Sequence, residues 1–406
     1  MTENSGPLKG LRVLDLSRIL AGPTCTQMLG DLGADIIKVE RPGAGDDTRK
    51  WGPPYLKDAE GRDTDESAYY LSANRNKRSV TIELSQPGGR DLILGLLGRC
   101  DILVENFKVG GLKKYGLSYD DLKKDFPGLI YCSITGFGQT GPYAPRPGYD
   151  YLAQAMGGIM SITGAPDGPP MKVGVGISDV VCGMYAALAI VSAVHHRGGT
   201  GQGQHIDMAL LDTQVAWLVN EGSNYLISGE VPKRLGNAHP NIVPYQVFET
   251  ADGPFVLAVG NDTQFARFCD FAGVPELALD PRFKTNAERI RNRDALIPLL
   301  EPLLKDHPSK HWLDGLEALG VPCGPVNDIG QVFDDPQVRH RGMKISMPHG
   351  QSGKVELTAS PMRLSETPVS YRRSPPTLGQ HTGEILAELL DLNEADIASL
   401  RQKGLI

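Results

Sequence analysis

Leu11-Arg12-Val13-Leu14-Asp15-Leu16 leads into Cys25-Thr26-Gln27-Met28-Leu29-Gly30-Asp31-Leu32-Gly33, and that run leads into Asp35-Ile36-Ile37-Lys38-Val39-Glu40. The outer two are apolar-rich and of strand length, and the middle run has helical length and spacing. The same alternation continues outward. Strands are expected at residues 79–84, 101–105, 129–134 and 205–210, with a helix at 90–98. Apolar-rich strands alternating with helices predict an α/β fold, a mostly parallel sheet covered on both faces. A helix through Trp217 and Asn220 follows the last strand.

The pattern then changes. Residues 245–250 and 254–259, joined by Ala251-Asp252-Gly253, read as a hairpin. Helices follow at 263–271, 286–304 and 310–319, which together predict a second, smaller α+β domain. From about Val326 the chain reads as loop and strand (Gly353-Lys354-Val355-Glu356-Leu357), then helices near 383–390 and 394–400.

The 406 residues suffice for two or three domains, and 40% hydrophobic with 22% charged residues is ordinary for a globular enzyme. A net charge of −7 argues against nucleic acid or an anionic membrane as partner. No apolar stretch is read as approaching a membrane span. The start, Met1-Thr2-Glu3-Asn4-Ser5-Gly6-Pro7, lacks the order of a signal peptide and the arginines of a transit peptide, so a cytoplasmic location is expected. The six cysteines form no C-x-x-C, which favours buried reduced thiols over disulfides or zinc, and no metal is expected.

One aspartate interrupts an apolar, glycine-rich run: Val173-Gly174-Val175-Gly176-Ile177-Ser178-Asp179, followed by residues 180–190 that read as a buried helix. Asp179 therefore sits at or just before a first helical turn. Backbone N–H groups and the helix dipole would hold its carboxylate ionised, as covalent acyl chemistry requires. Most such aspartates only cap helices, and position alone favours the cap. Gly174-Val175-Gly176 imitates part of a dinucleotide fingerprint, but the third glycine is missing. Gly198-Gly199-Thr200-Gly201-Gln202-Gly203 lacks the Lys-Ser/Thr of a P-loop and reads as a turn. His195 and His196 suit a helix C-terminus without any catalytic role, and Asp207 and Asp212 read as caps or surface groups.

Arg41 follows a strand, where open α/β sheets collect ligands, and could grip a phosphate or pair with Glu40. Asn74-Arg75-Asn76-Lys77-Arg78 is a basic cluster that could serve phosphates or form a solvated edge. Asn106-Phe107-Lys108 ends another strand and offers an aromatic ring to a cofactor.

Several motifs, in order, resemble the class III CoA-transferase family, which also contains α-methylacyl-CoA racemases. They include Ala21-Gly22-Pro23, Gly33-Ala34-Asp35-Ile36-Ile37-Lys38-Val39-Glu40-Arg41-Pro42-Gly43, Asp101-Ile102-Leu103-Val104-Glu105-Asn106-Phe107, Ser133-Ile134-Thr135-Gly136-Phe137-Gly138 and Leu378-Gly379-Gln380-His381-Thr382. The resemblance implies that Asp179 is the nucleophile. It implies coenzyme A contacts at Leu20, Ala21, Arg41, Ile82, Glu83, Leu84, Ser85, Asn106, Phe107, Lys108, Lys114, Gly148, Tyr149 and Asp150. It further implies a Rossmann-like large domain built from residues 1–220 and 326–406, a small domain within 221–325, and an interlocked-ring homodimer. Its partners would be an acyl-CoA and a small carboxylic acid.

The racemases carry Gly-His-Asp where this chain has Gly148-Tyr149-Asp150. Tyrosine is a poor proton acceptor at neutral pH, so the acid/base pair of a racemase is broken while Asp179 remains. A transferase is the expectation, with a racemase or a non-catalytic CoA-binding protein as alternatives. Residues such as Trp51-Gly52-Pro53-Pro54 and Ile242-Val243-Pro244-Tyr245-Gln246 are similar to the succinyl-CoA:glutarate branch. Leu20 stands where the formyl-CoA enzymes have glutamine, which argues against oxalate. A dicarboxylate needs a cation at its far end, and Arg18, Arg49, Arg75 and His239 are the candidates.

Overall fold

The structure, a computed structural model, describes residues 6–406; Met1–Ser5, and with them most of the start read above for a leader, lie outside the described residues. The chain divides into two units. The first runs up to Ile159 and adds Lys172–Leu226 and Gln337–Ile406; the second comprises Met160–Met171 and Ile227–Pro336. The divisions fall some residues beyond 220 and 325, and a short segment of the earlier chain goes with the second unit.

In the first unit six strands form one sheet: β1 Arg12–Asp15, β2 Asp35–Glu40, β3 Lys77–Thr81, β4 Ile102–Glu105, β5 Ile130–Thr135 and β6 His205–Ala209. Their spatial order is β3-β2-β1-β4-β5-β6, and every pairing is parallel. This is the doubly wound order, with the chain reversing direction across the sheet between β1 and β4. Alternate residues point to opposite faces. Val13, Ile36, Ile102 and Val104 pack under α1 (Ala21–Asp31) and a long helix, Ile177–Thr200. Leu14, Ile37, Val80 and Leu103 pack under α2 (Pro87–Leu97) and, from the far end of the chain, Thr382–Leu390.

Between α2 and the long helix lies the short α3 (Asp150–Met156); the long helix is α4. A Cβ on Gly183 would lie 2.5 Å from the Ala21 carbonyl oxygen, so α4 meets the start of α1 almost backbone to backbone. The most apolar window of α4 has a mean hydropathy of 1.9, and this 24-residue helix is long and apolar enough to cross a membrane. That corrects the expectation that no such stretch exists, although half of the window is buried in the protein.

β3 begins at Lys77, earlier than expected, because its polar residues face partners inside the fold. The Lys77 Nζ reaches Asp15 at 3.3 Å, and Arg78 pairs with Asp35 at 2.6 Å and with Glu384 at 3.0 Å. The basic cluster is thus neither a solvated edge nor a phosphate site.

The second unit has a three-stranded antiparallel sheet, with Pro254–Ala258 between Tyr245–Glu249 and Cys323–Pro325. Phe255, Phe265, Phe268, Leu300 and Trp312 form its core. The helix expected at 286–304 is broken at Asn292 into Asn286–Arg291 and Arg293–Lys305. The Asn292 amide donates to the carbonyls of Glu288 and Arg282, an alternative to continuing the helix. All six cysteines are free thiols.

Candidate active site

Ligands in this strand order collect outside the carboxyl ends of the strands, where the chain reverses. Here the loops after β1 and β4 are tied together. Asn106 accepts a hydrogen bond from the Arg18 N–H at 3.0 Å and donates to the Arg18 carbonyl at 2.7 Å. The loop after β2 joins them through a fully buried ion pair, Lys38 with Asp46 at 2.9 Å. Lys38 also donates to the Ser17 carbonyl, and Asp46 accepts from the Ile19 N–H. Burial alone would raise the Asp46 carboxyl, but the adjacent Lys38 ammonium and the Thr48 donors hold it below its ordinary value. Ile19 is held at φ 72°, a region β-branched residues avoid, at a cost of roughly 1–2 kcal/mol.

Two clefts open onto these loops. One of about 450 Å³ is lined by Asp179 together with Ala21, Asn106, Phe107, Lys108, Lys114, Gly148 and Tyr149. The other, of about 420 Å³, is lined by Arg41 and by Ile82, Glu83, Leu84 and Ser85. Arg18, Asp47, Phe107 and Tyr115 line both. Residues far apart in sequence are thereby gathered along one edge of the sheet. Leu20 lines neither cleft as such, but a Cβ on Gly176 would come within 3.1 Å of its side chain.

Asp179 lies in the first turn of α4, whose cap is Gly176. The N–H groups at this helix start are taken by another carboxylate. Asp150 Oδ1 accepts from Ser178 N–H at 2.8 Å and from Asp179 N–H at 3.2 Å. The chain is brought there by Gly148, which packs on Gly136 after β5: a Cβ on either glycine would fall 2.2–2.4 Å from the other's Cα. Asp150 is steadied in turn by Gln154, whose amide donates to Oδ2 at 2.7 Å.

The Asp179 carboxylate is consequently left with no hydrogen-bond donor among the described residues, and the residue is only 7% exposed. Burial, and secondarily the like charge of Asp150, pushes its carboxyl up to about 7. This corrects the expectation of a carboxylate held ionised by backbone N–H groups. The anion forms near neutrality in a poorly solvated position, so it has little hydration to shed when it attacks a carbonyl. The nearby Tyr69 phenol is pushed up to about 12 by burial and by Asp179 and Asp150, and it stays neutral beside them. The Ser178 hydroxyl is committed to Gln214 at 2.7 Å.

The other expected residues fall into distinct groups. Arg41 is 73% exposed and pairs with Glu83 at 3.3 Å, not with Glu40. Arg18 is in both clefts with its Nη1 on Asp47 at 2.7 Å. Two candidate substrate cations are committed elsewhere. Arg49 is buried between Glu40 and Glu66, stacks on Tyr70 and donates to the Pro376 carbonyl. Arg75 is buried on Asp31 and donates to the Thr358 carbonyl. His239 belongs to the second unit, its ring against Tyr245. Sequence reading missed Arg146, Asp47 and Tyr115, which all line the first cleft. Arg146 stands three residues before Tyr149, and that proximity was the available signal.

The family model described as CoA-transferase family III matches residues 8–382. The chain is 49% identical to a succinate–glutarate CoA-transferase of Agrobacterium fabrum, over 96% of this chain and 97% of that protein. It is 45% identical to the succinyl-CoA:glutarate CoA-transferase of Homo sapiens, over 99% of this chain and 90% of that one. A crystal structure of a CAIB/BAIF family protein from Brucella suis superposes with a TM-score of 0.84 at 50% identity, covering 95% of this chain and all of that chain.

Proposed function

The chain belongs to CoA-transferase family III, and on that premise we propose that it moves CoA from succinyl-CoA to glutarate through a covalent intermediate on Asp179. The observation that carries this reading is the Asp179 carboxylate itself: buried, without a hydrogen-bond donor among the described residues, and lining the cleft at the strand ends. Relatives named for the same acid pair, matched over nearly their whole length, support the choice of substrates.

The steps balance without any proton transfer. The Asp179 carboxylate attacks the thioester carbonyl, the C–S bond breaks, and CoA leaves as a thiolate. The thiolate attacks the aspartyl carbonyl of the mixed anhydride, releasing succinate and leaving CoA as a thioester on Asp179. A glutarate carboxylate attacks that thioester and frees the thiolate again. The thiolate then attacks the glutaryl carbonyl, giving glutaryl-CoA and the free Asp179 carboxylate. Each half uses an anionic nucleophile, which is why an Asp179 that ionises near neutral pH suffices. The Ser178 and Asp179 N–H groups are occupied by Asp150, so they are not free to bind an oxyanion.

The interlocked homodimer is part of the same proposal. It is supported by an apolar row on α4, in which Met184, Leu188 (62% exposed) and Val191 stand uncovered. Two differently tagged preparations of interlocked dimers, mixed without denaturant, should form no mixed dimer.

Hydroxylamine trapping tests the covalent route. Incubation with succinyl-CoA should leave a hydroxamate on Asp179, and Asp179→Ala should abolish transfer. Transfer without labelling there removes the covalent reading. Deuterium exchange at the α-carbon of a 2-methylacyl-CoA without acid exchange would replace the transferase with a racemase.

A further inference from the structure

A dicarboxyl substrate brings a second carboxylate into the cleft that holds Asp179, and an anion carried there without a counter-charge would be costly to desolvate. The cations lining that cleft are not equivalent. Arg18 is spent on Asp47 at 2.7 Å. The Lys114 ammonium lies over the ring of Tyr115, a residue that lines both clefts, at 4.6 Å. Lys108 lines the cleft too, but among the described residues no aromatic ring holds its ammonium. Arg146 differs from all three. Its guanidinium lies over Tyr143 at 4.6 Å and Phe137 at 5.3 Å, and those two rings meet edge to face. Among the described residues it has no carboxylate partner and no side-chain hydrogen bond.

A guanidinium held by its face keeps its in-plane N–H groups available, and that edge matches a carboxylate bidentately. The stacking also restricts a long side chain before the ligand arrives, which lowers the cost of binding. Arg146 lines the cleft that holds Asp179 and not the one lined by Arg41, so it shares a cavity with that carboxylate.

We propose that Arg146 selects dicarboxyl substrates, its free edge receiving the distal carboxylate of the acyl group whose thioester carbonyl faces Asp179. The inference rests on the dicarboxylate reading above and names the residue that enforces it. Phe137 and Tyr143 are positioning residues for the guanidinium.

The test compares glutarate with pentanoate, a monocarboxylate of equal chain length, as acceptors in the wild type, Arg146→Met and Arg146→Lys. Loss of a charge-assisted pair predicts a fall of about 100-fold in kcat/KM for glutarate in Arg146→Met. The same variant should change pentanoate less than about threefold and the affinity for free CoA less than about twofold. Arg146→Lys should recover part of the glutarate activity, and it keeps the test readable if the methionine variant folds poorly. An equal loss with both acids, a matching loss of CoA affinity, or no loss at all overturns the assignment. A wild type without preference for glutarate defeats the dicarboxylate reading itself. A wild type with that preference, kept in Arg146→Met, defeats only the role of Arg146.

Discussion

Replacing Asp150 by Asn separates the two causes that set the ionisation of Asp179, the proposed nucleophile. Asp179 titrates at about 7 because it is buried and because Asp150 adds a like charge. At pH 6 only roughly one tenth of the free enzyme then carries the reactive anion, and kcat/KM for succinyl-CoA should fall through an acid limb centred near 7. Asparagine keeps the oxygen that accepts from the Ser178 and Asp179 N–H groups, so the start of α4 stays capped. It removes the charge but not the burial, which is the larger cause. The acid limb should therefore move down by about one pH unit, ~1.4 kcal/mol, and not return to the ordinary carboxylate range. Relative to its own plateau, the variant's kcat/KM at pH 6 should rise about fivefold. A cost accompanies the change: the new amide N–H₂ would face the Gln154 donor, lowering stability by ~1 kcal/mol. The assay is initial-rate kcat/KM from pH 5.5 to 8.5 for both proteins. A wild-type profile that is flat down to pH 5.5 refutes the burial argument. An unmoved acid limb in the variant refutes the role of the Asp150 charge.

Asp179→Asn should raise the melting temperature at pH 8 while abolishing transfer. The folded-state value lies above the ordinary 3.8, so the folded protein binds the extra proton and loses stability as pH rises from about 4 to 7. That loss is on the order of 4 kcal/mol, and the variant should lack this pH dependence between pH 5 and 8. Arg49→Met should lower the unfolding free energy by about 3–5 kcal/mol in urea titrations, because Glu40 and Glu66 would stay buried without their partner. A loss below about 1 kcal/mol would contradict the buried-network account. Arg41→Ala removes an exposed guanidinium from the second cleft and should weaken CoA binding about tenfold in calorimetry, with the melting temperature unchanged. Unchanged CoA affinity would take Arg41 out of the site.

Much of the architecture was legible because it follows from periodicity. Val13 and Leu14 face opposite sides of the sheet, and their apolar character on both sides announces helices on both faces. The helix carrying Asp179 was visible as an apolar run, and its start was placed to within a turn. The strand that begins at Lys77 was misplaced because its first residues are charged. Their partners, Asp15 and Asp35, lie on other strands, and Glu384 lies near the far end of the chain. Asn292 broke a helix for a similar reason, through a hydrogen bond to the Arg282 carbonyl that no helical spacing encodes.

By itself the sequence determined the parallel sheet and the family and singled out Asp179 as the proposed nucleophile, since all three rest on local pattern and ordered motifs. The tertiary structure decided which charges remain free to act. Arg49 and Arg75 looked as available as Arg18, yet both are consumed by carboxylates inside the fold, while Arg146 stands stacked on aromatic rings in the Asp179 cleft with no carboxylate partner among the described residues. It also decided that Asp150, twenty-nine residues earlier, takes the N–H groups expected to hold Asp179. A charged group's ionisation and availability depend on burial and on neighbours brought from distant parts of the chain, and only the folded packing sets those.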